Sequence, residues 1–398
     1  MGPRIGGSSW VIGCDAVYHL VNLALTAESR PLMSQLPPFA IVCCQNGVES
    51  AVKAEVADQG WRLAFSRRGF ISLKHAGVAT ELPNGVFVRT AAWSYGLVEG
   101  EDASANVDAL VRRLAETAPD EAWDRLHVWP RDRLTVGKFG FEPGVDEMSR
   151  LVGECVAPVL HSRGLLRQSG FNIVAAAGER VLDLILIEPS RWAIGWHSIP
   201  PTGSGERSGS DQPAPFLPAT WPGGVQPIAP TVPVVSRAYF KAAEAIAWSG
   251  LDFRAGELAI EVGASPGGAC GRLLELGMRV IGIDPAEIDP EIMEHPRFRH
   301  IRARAGDLPR QEYSGARWLL VDSNVRPDQT LTTVEHIVAH RRSTIRGMLL
   351  TLKLGGIAHA DRIPGWVRRV RDWGATDVKV RQLARGKMEV CLAATLPR

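Results

Sequence analysis

Leu258-Ala259-Ile260-Glu261-Val262-Gly263-Ala264-Ser265-Pro266-Gly267-Gly268 decides the fold of the C-terminal half. Its apolar start reads as a buried parallel strand, and an acidic residue and a glycine-rich turn follow. A helix then begins at Ala269-Cys270-Gly271-Arg272-Leu273-Leu274. Glycines let a backbone approach a ligand where a Cβ would clash. The next strand, Arg279-Val280-Ile281-Gly282-Ile283-Asp284, ends in a carboxylate. It falls about 20 residues after the turn, the placement of a ribose-binding acid. The pattern predicts a nucleoside-type cofactor.

The turn reads G-x-x-x-G-G, and no Gly-Lys-Ser/Thr follows. A P-loop is therefore excluded, because no lysine is placed to reach a phosphate. A dinucleotide site is weaker, since Glu261 puts a negative charge at the strand end and would repel pyrophosphate. That charge would favour a cation, such as the sulfonium and amino group of S-adenosylmethionine. A glycine turn alone is often only structural; Asp284 tips the balance toward a site.

The chain has 398 residues, enough for two or three domains. Hydrophobic residues at 45% and charged residues at 22% suit a globular protein rather than a disordered one. No apolar stretch is long enough to span a bilayer, so no membrane partner is expected. Six scattered cysteines show no C-x-x-C and no zinc spacing. Reduced thiols, a cytoplasmic location and no metal are the expectation. From Ser236 onward there are 25 Lys+Arg against 19 Asp+Glu, while the preceding part is net acidic. The basic half carries the cofactor loop, which modestly favours a polyanionic substrate.

Residues 1–38 read as an uncertain extension without the marks of a signal peptide, and Met33 is a candidate start. Residues 39–199 alternate strand, helix and hairpin patterns and predict an α+β region of ferredoxin-like type. Residues 200–235 are rich in Pro, Gly and Ser and read as a linker or surface arm. Residues 236–398 predict a Rossmann-like doubly wound sheet, making the chain α/β with an N-terminal α+β region.

In such a sheet, ligands lie beyond the carboxyl ends of the strands. Asp322 closes the strand Ala316–Asp322, and Lys353 closes Met348–Lys353. Glu389 opens a late strand that reaches the same edge if it runs antiparallel. Lys241 lies on the helix before the glycine loop. Singly, Lys241 would be a solvated helix lysine, Lys353 a turn lysine and Glu389 an edge-strand charge. Together and in this order they resemble the Lys-Asp-Lys-Glu tetrad of the FtsJ-type RNA ribose 2′-O-methyltransferases. Ser236-Arg-Ala-Tyr-Phe-Lys-Ala-Ala-Glu244 is similar to that family's Ser-Arg-x-x-x-Lys-x-x-Glu signature. The likeness spans about residues 236–395 and departs at Glu261, where Asp is usual, and at Ala269, where Trp is frequent. With an α+β region ahead of it, the chain resembles the RlmM branch, which modifies large-subunit ribosomal RNA and carries a THUMP-like RNA-binding domain.

The resemblance implies S-adenosylmethionine as cofactor, ribosomal RNA as partner, and Lys241, Asp322, Lys353 and Glu389 as catalytic residues. It implies a cofactor site built from Glu261, Gly263, Ala264, Ser265, Pro266, Gly267, Gly268, Asp284, Asp307 and Asp322. The backbone at Gly263, Ala264, Gly267 and Gly268 would meet the methionine moiety, Asp284 the ribose, and Asp307 the adenine amino group. A ribose 2′-hydroxyl is a poor nucleophile, and Lys353 is the candidate to engage it as base or orienting group. Lys241 and Lys353 would depress each other's pKa, and the two carboxylates would oppose that shift. Two rivals stand beside this reading: a small-molecule or protein methyltransferase, and a catalytically weak RNA-binding assembly factor. His336 and His340 have metal-capable spacing but no third ligand. Arg368, Arg369 and Arg371 with Trp366 and Trp373, like Arg67-Arg68, fit an RNA contact or an ordinary solvated face.

Overall fold

The computed structural model describes residues 39–201, 216–340 and 343–397. The expectations for residues 1–38, for Met33 and for the first part of the Pro/Gly-rich segment lie outside them. A first sheet contains β1 (Phe39–Cys43), β2 (Trp61–Arg67), β3 (Phe70–His75), β4 (Thr90–Glu99), β5 (Arg125–Pro130), β6 (Arg180–Glu188) and β7 (Arg191–Ser198). Their order is β2-β3-β1-β4-β7-β6-β5, and β5 with β6 is the one parallel pair. β4 was not foreseen. Its centre, Ala91-Ala92-Trp93-Ser94-Tyr95-Gly96, holds no β-branched residue and is mostly small residues, and its register shifts between Ser94 and Gly96.

Helices α1 (Glu49–Ala57), α2 (Ala103–Thr117) and α3 (Glu147–Ser162) share one face of this sheet. Trp93 and Trp196 lie opposite each other in register and so point the same way. Trp93 packs in the apolar cluster of Val52 and Val56 from α1. Trp196 packs with Leu110 and Leu114 of α2 and Val156 and Leu160 of α3. The Asp102 side chain caps α2 by accepting from the Ala105 N–H, and Asp146 with Ser149 forms a capping box on α3.

The expected surface arm is partly built into the protein. After the short helix α4 (Phe216–Thr220), Trp221, Pro222, Gly223, Gly224 and Val225 are all buried. Gly223 adopts φ +63° against Trp129, and Arg89 Nε donates to its carbonyl at 2.9 Å. Prolines bar regular ladders but not burial, provided the carbonyls find donors.

A second sheet contains β8 (Leu258–Val262), β9 (Arg279–Ile283), β10 (Phe298–Ile301), β11 (Trp318–Val321), β12 (Gly347–Lys353), β13 (Asp377–Arg381) and β14 (Glu389–Thr395). The order is β10-β9-β8-β11-β12-β14-β13, with β14 antiparallel to both neighbours and the other pairs parallel. Ala259 faces α5 (Ala238–Ser249) and α6 (Gly268–Glu275). Ile260 and Val262 face the opposite cluster with α7 (Pro327–Val338) and α8 (Ile363–Asp372). This is a Rossmann-like mixed sheet preceded by an α+β region, as expected. The cluster around Ile260 continues into Val42 and Val52, so apolar packing joins the two sheets. Among the described residues, no helix is long and apolar enough to cross a membrane.

Candidate functional site

The chain runs from β8 outward to β9 and β10, then returns to place β11 on the other side of β8. That reversal opens a crevice beyond the carboxyl ends of β8 and β11. Gly263 follows β8 and Asp322 follows β11. Gly263 has φ +84°, and a Cβ there would stand 2.6 Å from the Asp322 carbonyl oxygen. Only glycine lets these two strand ends come so close. The turn continues through a cis Ser265–Pro266 bond to Gly267, which opens α6.

The loop's hydrogen bonds refine the expected contacts. The Gly263 and Ala264 N–H groups both donate to the Ile283 carbonyl, at 2.9 and 3.4 Å. They bind the two strands together and are not presented to a ligand. The Ser265 N–H donates to Asp284 Oδ2 at 3.1 Å, and Ser265 Oγ donates to the Glu287 carbonyl at 2.7 Å. The Ala286 N–H donates to Asp284 Oδ1 at 2.8 Å. The half-buried Asp284 carboxylate is thereby fixed beside the turn, with acceptor capacity left on each oxygen. Asp307 is exposed on the single turn Ala305–Asp307 that follows β10.

Glu261 differs from its expected role. It points to the α5/α6 side of β8 and is 2% exposed. Burial pushes its pKa up to about 8, so at neutral pH it is mostly a neutral acid and supplies no fixed charge at the strand end. Its Oε2 has no hydrogen-bond partner. It lines a cavity of about 30 Å³ with Lys241, Ala269, Asp322 and Cys391.

Lys241, Asp322, Lys353 and Glu389 meet at the carboxyl edge of the sheet. Antiparallel pairing of β12 and β14 sets Glu389 opposite Lys353. Lys353 Nζ donates to Asp322 Oδ1 at 2.7 Å and to Glu389 Oε2 at 2.6 Å. Lys241 Nζ donates to Asp322 Oδ2 and, at 3.1 Å, to Glu389 Oε1. Each ammonium thus bridges both carboxylates in a closed ring of alternating charge. At Lys353 the carboxylates decide the direction that the sequence left open. Burial disfavours the Lys353 ammonium, but Asp322 and Glu389 outweigh it and raise the pKa above the ordinary lysine value. Burial likewise opposes ionisation of Asp322, yet Lys241 and Lys353 hold its carboxyl below the usual range. Lys353 is the most exposed of the four, at 25%.

The other sequence candidates lie elsewhere. Trp366 is buried in the core, Arg369 is paired with Glu335 at 2.7 Å, and Arg368 is exposed. Arg67 lies 4.8 Å over the Phe65 ring on the first sheet. Among the described residues, no group of three metal-ligating side chains comes together. Two residues outside the expected set stand behind Glu389. Glu244, one turn beyond Lys241 on α5, accepts from the Ala384 and Arg385 N–H groups at 2.7 and 3.0 Å. Its signal was its place in the Ser-Arg-x-x-x-Lys-x-x-Glu pattern. Gln45 reaches the same turn from the first sheet, and nothing in its local sequence announces this.

No protein-family model matches the chain. It is 26% identical over 189 residues to the ribosomal RNA large subunit methyltransferase M of Azoarcus sp. (strain BH72), across 45% of this chain and 51% of that protein. It is 29% identical over 142 residues to the protein of the same name from Aromatoleum aromaticum, across 34% of this chain and 38% of that protein. The chain spans about half the length, or less, of these curated relatives. Among solved structures, the fibrillarin pre-rRNA processing protein of Methanococcus jannaschii overlaps 40% of this chain and 76% of its own, at 17% identity and a TM-score of 0.33. The likeness is a weak homology to the ribosomal RNA methyltransferase M family on a methyltransferase-like fold.

Proposed function

We propose that this protein transfers a methyl group from S-adenosylmethionine to a ribose 2′-hydroxyl of RNA, with large-subunit ribosomal RNA as the substrate. The observation that carries the proposal is the closed Lys241–Asp322–Lys353–Glu389 ring at the switch point of a methyltransferase sheet. A small-molecule methyltransferase needs the cofactor crevice but has no evident use for two lysines locked between two carboxylates. The partial homology to ribosomal RNA methyltransferases supports the choice of acceptor.

The residues present fit the cofactor. Gly263 and Gly267, at φ +84° and +116°, carry the turn past Asp322 and Ile292, where a Cβ would stand 2.6 and 2.9 Å from them. Asp284 would take the ribose hydroxyls, and Glu261, whose Oε2 is unpartnered, lines the small cavity with Ala269 and Asp322. Asp307 would accept from the adenine amino group, and the first N–H groups of α6 would receive the methionine carboxylate. When bound, S-adenosylmethionine supplies an electrophilic methyl group on a cationic sulfur.

The ring then orients the acceptor. Each ammonium has three N–H donors and spends two on the carboxylates. The third on Lys353, the most exposed member, is available to hold the 2′-hydroxyl. To serve as base, Lys353 would first give a proton to water, against the hold of Asp322 and Glu389. The neutral amine would then accept the 2′-hydroxyl proton as the methyl group passes from sulfur to that oxygen. Asp322 and Glu389 keep Nζ in place throughout, and such positioning contributes at most about 7–11 kcal/mol. The α+β region is proposed to dock the RNA.

The test is transfer of labelled methyl to deproteinised ribosomal RNA from a strain lacking the gene, with Lys353→Ala as control. Label in an alkali-resistant dinucleotide, lost with the variant, is expected. Measurable cofactor binding without such label would shift the acceptor to a small molecule or protein, or leave a non-catalytic RNA-binding factor.

A further inference from the structure

Glu389 is delivered to the ring by the turn between β13 and β14, and that turn is gripped from two sides. From α5 the Glu244 carboxylate, 2% exposed, accepts the N–H groups of Ala384 and Arg385. From the first sheet the Gln45 side chain, 4% exposed, sets Nε2 among three carbonyl oxygens: Leu383 at 2.8 Å, Ala384 at 3.2 Å and Gly386 at 2.9 Å. The turn therefore has its backbone donors satisfied by one part of the chain and its acceptors by another. Two neighbours strengthen the seam. The Gln382 N–H donates to the Val86 carbonyl at 2.8 Å, and Arg381 donates to the Arg89 carbonyl. Gly386 lies beside the Glu389 side chain, where a Cβ would stand 3.3 Å from Glu389 Cγ and Oε1.

We infer that Gln45 is a positioning residue for the C-terminal site. By holding Leu383–Gly386 it sets Glu389 between Lys241 and Lys353, so the N-terminal region completes the active centre as well as meeting the substrate. The inference rests on the proposed reading of the ring. Removing the amide takes away two N–H donors shared among three buried carbonyls; the Leu383 carbonyl keeps the Gly386 N–H at 3.1 Å, and the Ala384 and Gly386 carbonyls lose the donor that held them. A displacement of about 1 Å in an orienting group can cost about 100-fold in rate.

The test uses the full-length chain with Gln45→Met, which keeps similar length and removes the donor. Methyl transfer, RNA KM and cofactor Kd are measured, and Lys353 is followed by NMR pH titration of 13Cε-lysine, assigned with Lys353→Arg. The expected result is kcat lower by about 10- to 100-fold, with KM and Kd within about twofold. Lys353 should also titrate at lower pH than in the wild type, because Glu389 helps to hold its proton. Unchanged kcat with an unchanged Lys353 titration overturns the inference. So does an equal loss of cofactor affinity and thermal stability, which would make Gln45 a plain structural contact. Gln45→Glu gives a second reading. A protonated carboxyl can still donate, whereas a carboxylate is repelled by three carbonyls. Its activity relative to wild type should fall as pH rises, and a flat ratio counts against the idea. Should the wild type transfer no methyl to RNA, the proposed function fails, while the Lys353 titration still decides whether Gln45 governs the ring.

Discussion

Replacing Glu261 by Gln should remove a pH-dependent penalty from the folded state. The folded carboxyl has a pKa of about 8, against an ordinary value of 4.5. Between those values the folded protein keeps the proton and the unfolded chain loses it. The native state then binds more protons, so stability falls as pH rises through this window and levels off above about pH 8. Each pH unit is worth about 1.4 kcal/mol, so going from pH 5 to pH 7.5 costs about 3 kcal/mol through this one group. Glutamine has nearly the same shape and does not titrate. Subtracting the two stability curves cancels every other titrating group. The difference, Glu261→Gln minus wild type, should therefore grow by about 3 kcal/mol from pH 5 to pH 7.5. At roughly 2 cal/mol/K per residue of unfolding entropy, that is a relative Tm gain of about 4 °C for a chain of this size. Thermal unfolding of both proteins across pH 5–8.5 measures it. Parallel curves would refute the reasoning and would mean that Glu261 is solvated or ionised in the native state.

Other expectations can be checked with the same preparations. Lys353→Ala should abolish methyl transfer while calorimetric cofactor affinity stays nearly intact; equal loss of both would make Lys353 structural. Asp284→Ala removes two backbone hydrogen bonds and the candidate ribose acceptor. It should weaken cofactor binding by about 10-fold or more, as hydrogen bonds to charged groups are worth about 1.5–3 kcal/mol. Gly263→Ala places a Cβ 2.6 Å from the Asp322 carbonyl oxygen at φ +84°, so lower Tm and loss of cofactor binding are expected together. Asp132→Ala strands the Arg89 guanidinium, now paired with Asp132 at 2.6 Å with both side chains at most 2% exposed. Breaking such a pair costs about 3–5 kcal/mol, which urea unfolding would register.

The glycine turn after Val262, the carboxylate closing β9 and the four polar residues around the sheet edge were legible because their signals are local. Strand period, a turn that needs positive φ, and charge where an apolar strand ends are all written within a few residues. The weaker expectations failed where the signal was not local. β4 was hidden by its small residues, and its place between β1 and β7 is fixed only by the strands that flank it. Trp221–Val225 looked like surface chain because prolines forbid ladders, yet buried donors such as Arg89 make burial possible.

By itself the sequence determined that a Rossmann-like sheet carries a glycine turn and a strand-end carboxylate beside two lysines and two acids. The tertiary structure alone decided how those charges behave. Whether Lys353 keeps its proton depends on which carboxylates stand beside it, and that is set by the β12–β14 register and the place of β11. Whether Glu261 is a charge or a neutral acid depends on how completely α5 and α6 exclude water from it. The link from Gln45 to the turn before Glu389 joins positions more than 300 residues apart in sequence. Desolvation and long-range hydrogen bonding are properties of packed neighbours, and no local pattern of residues encodes them.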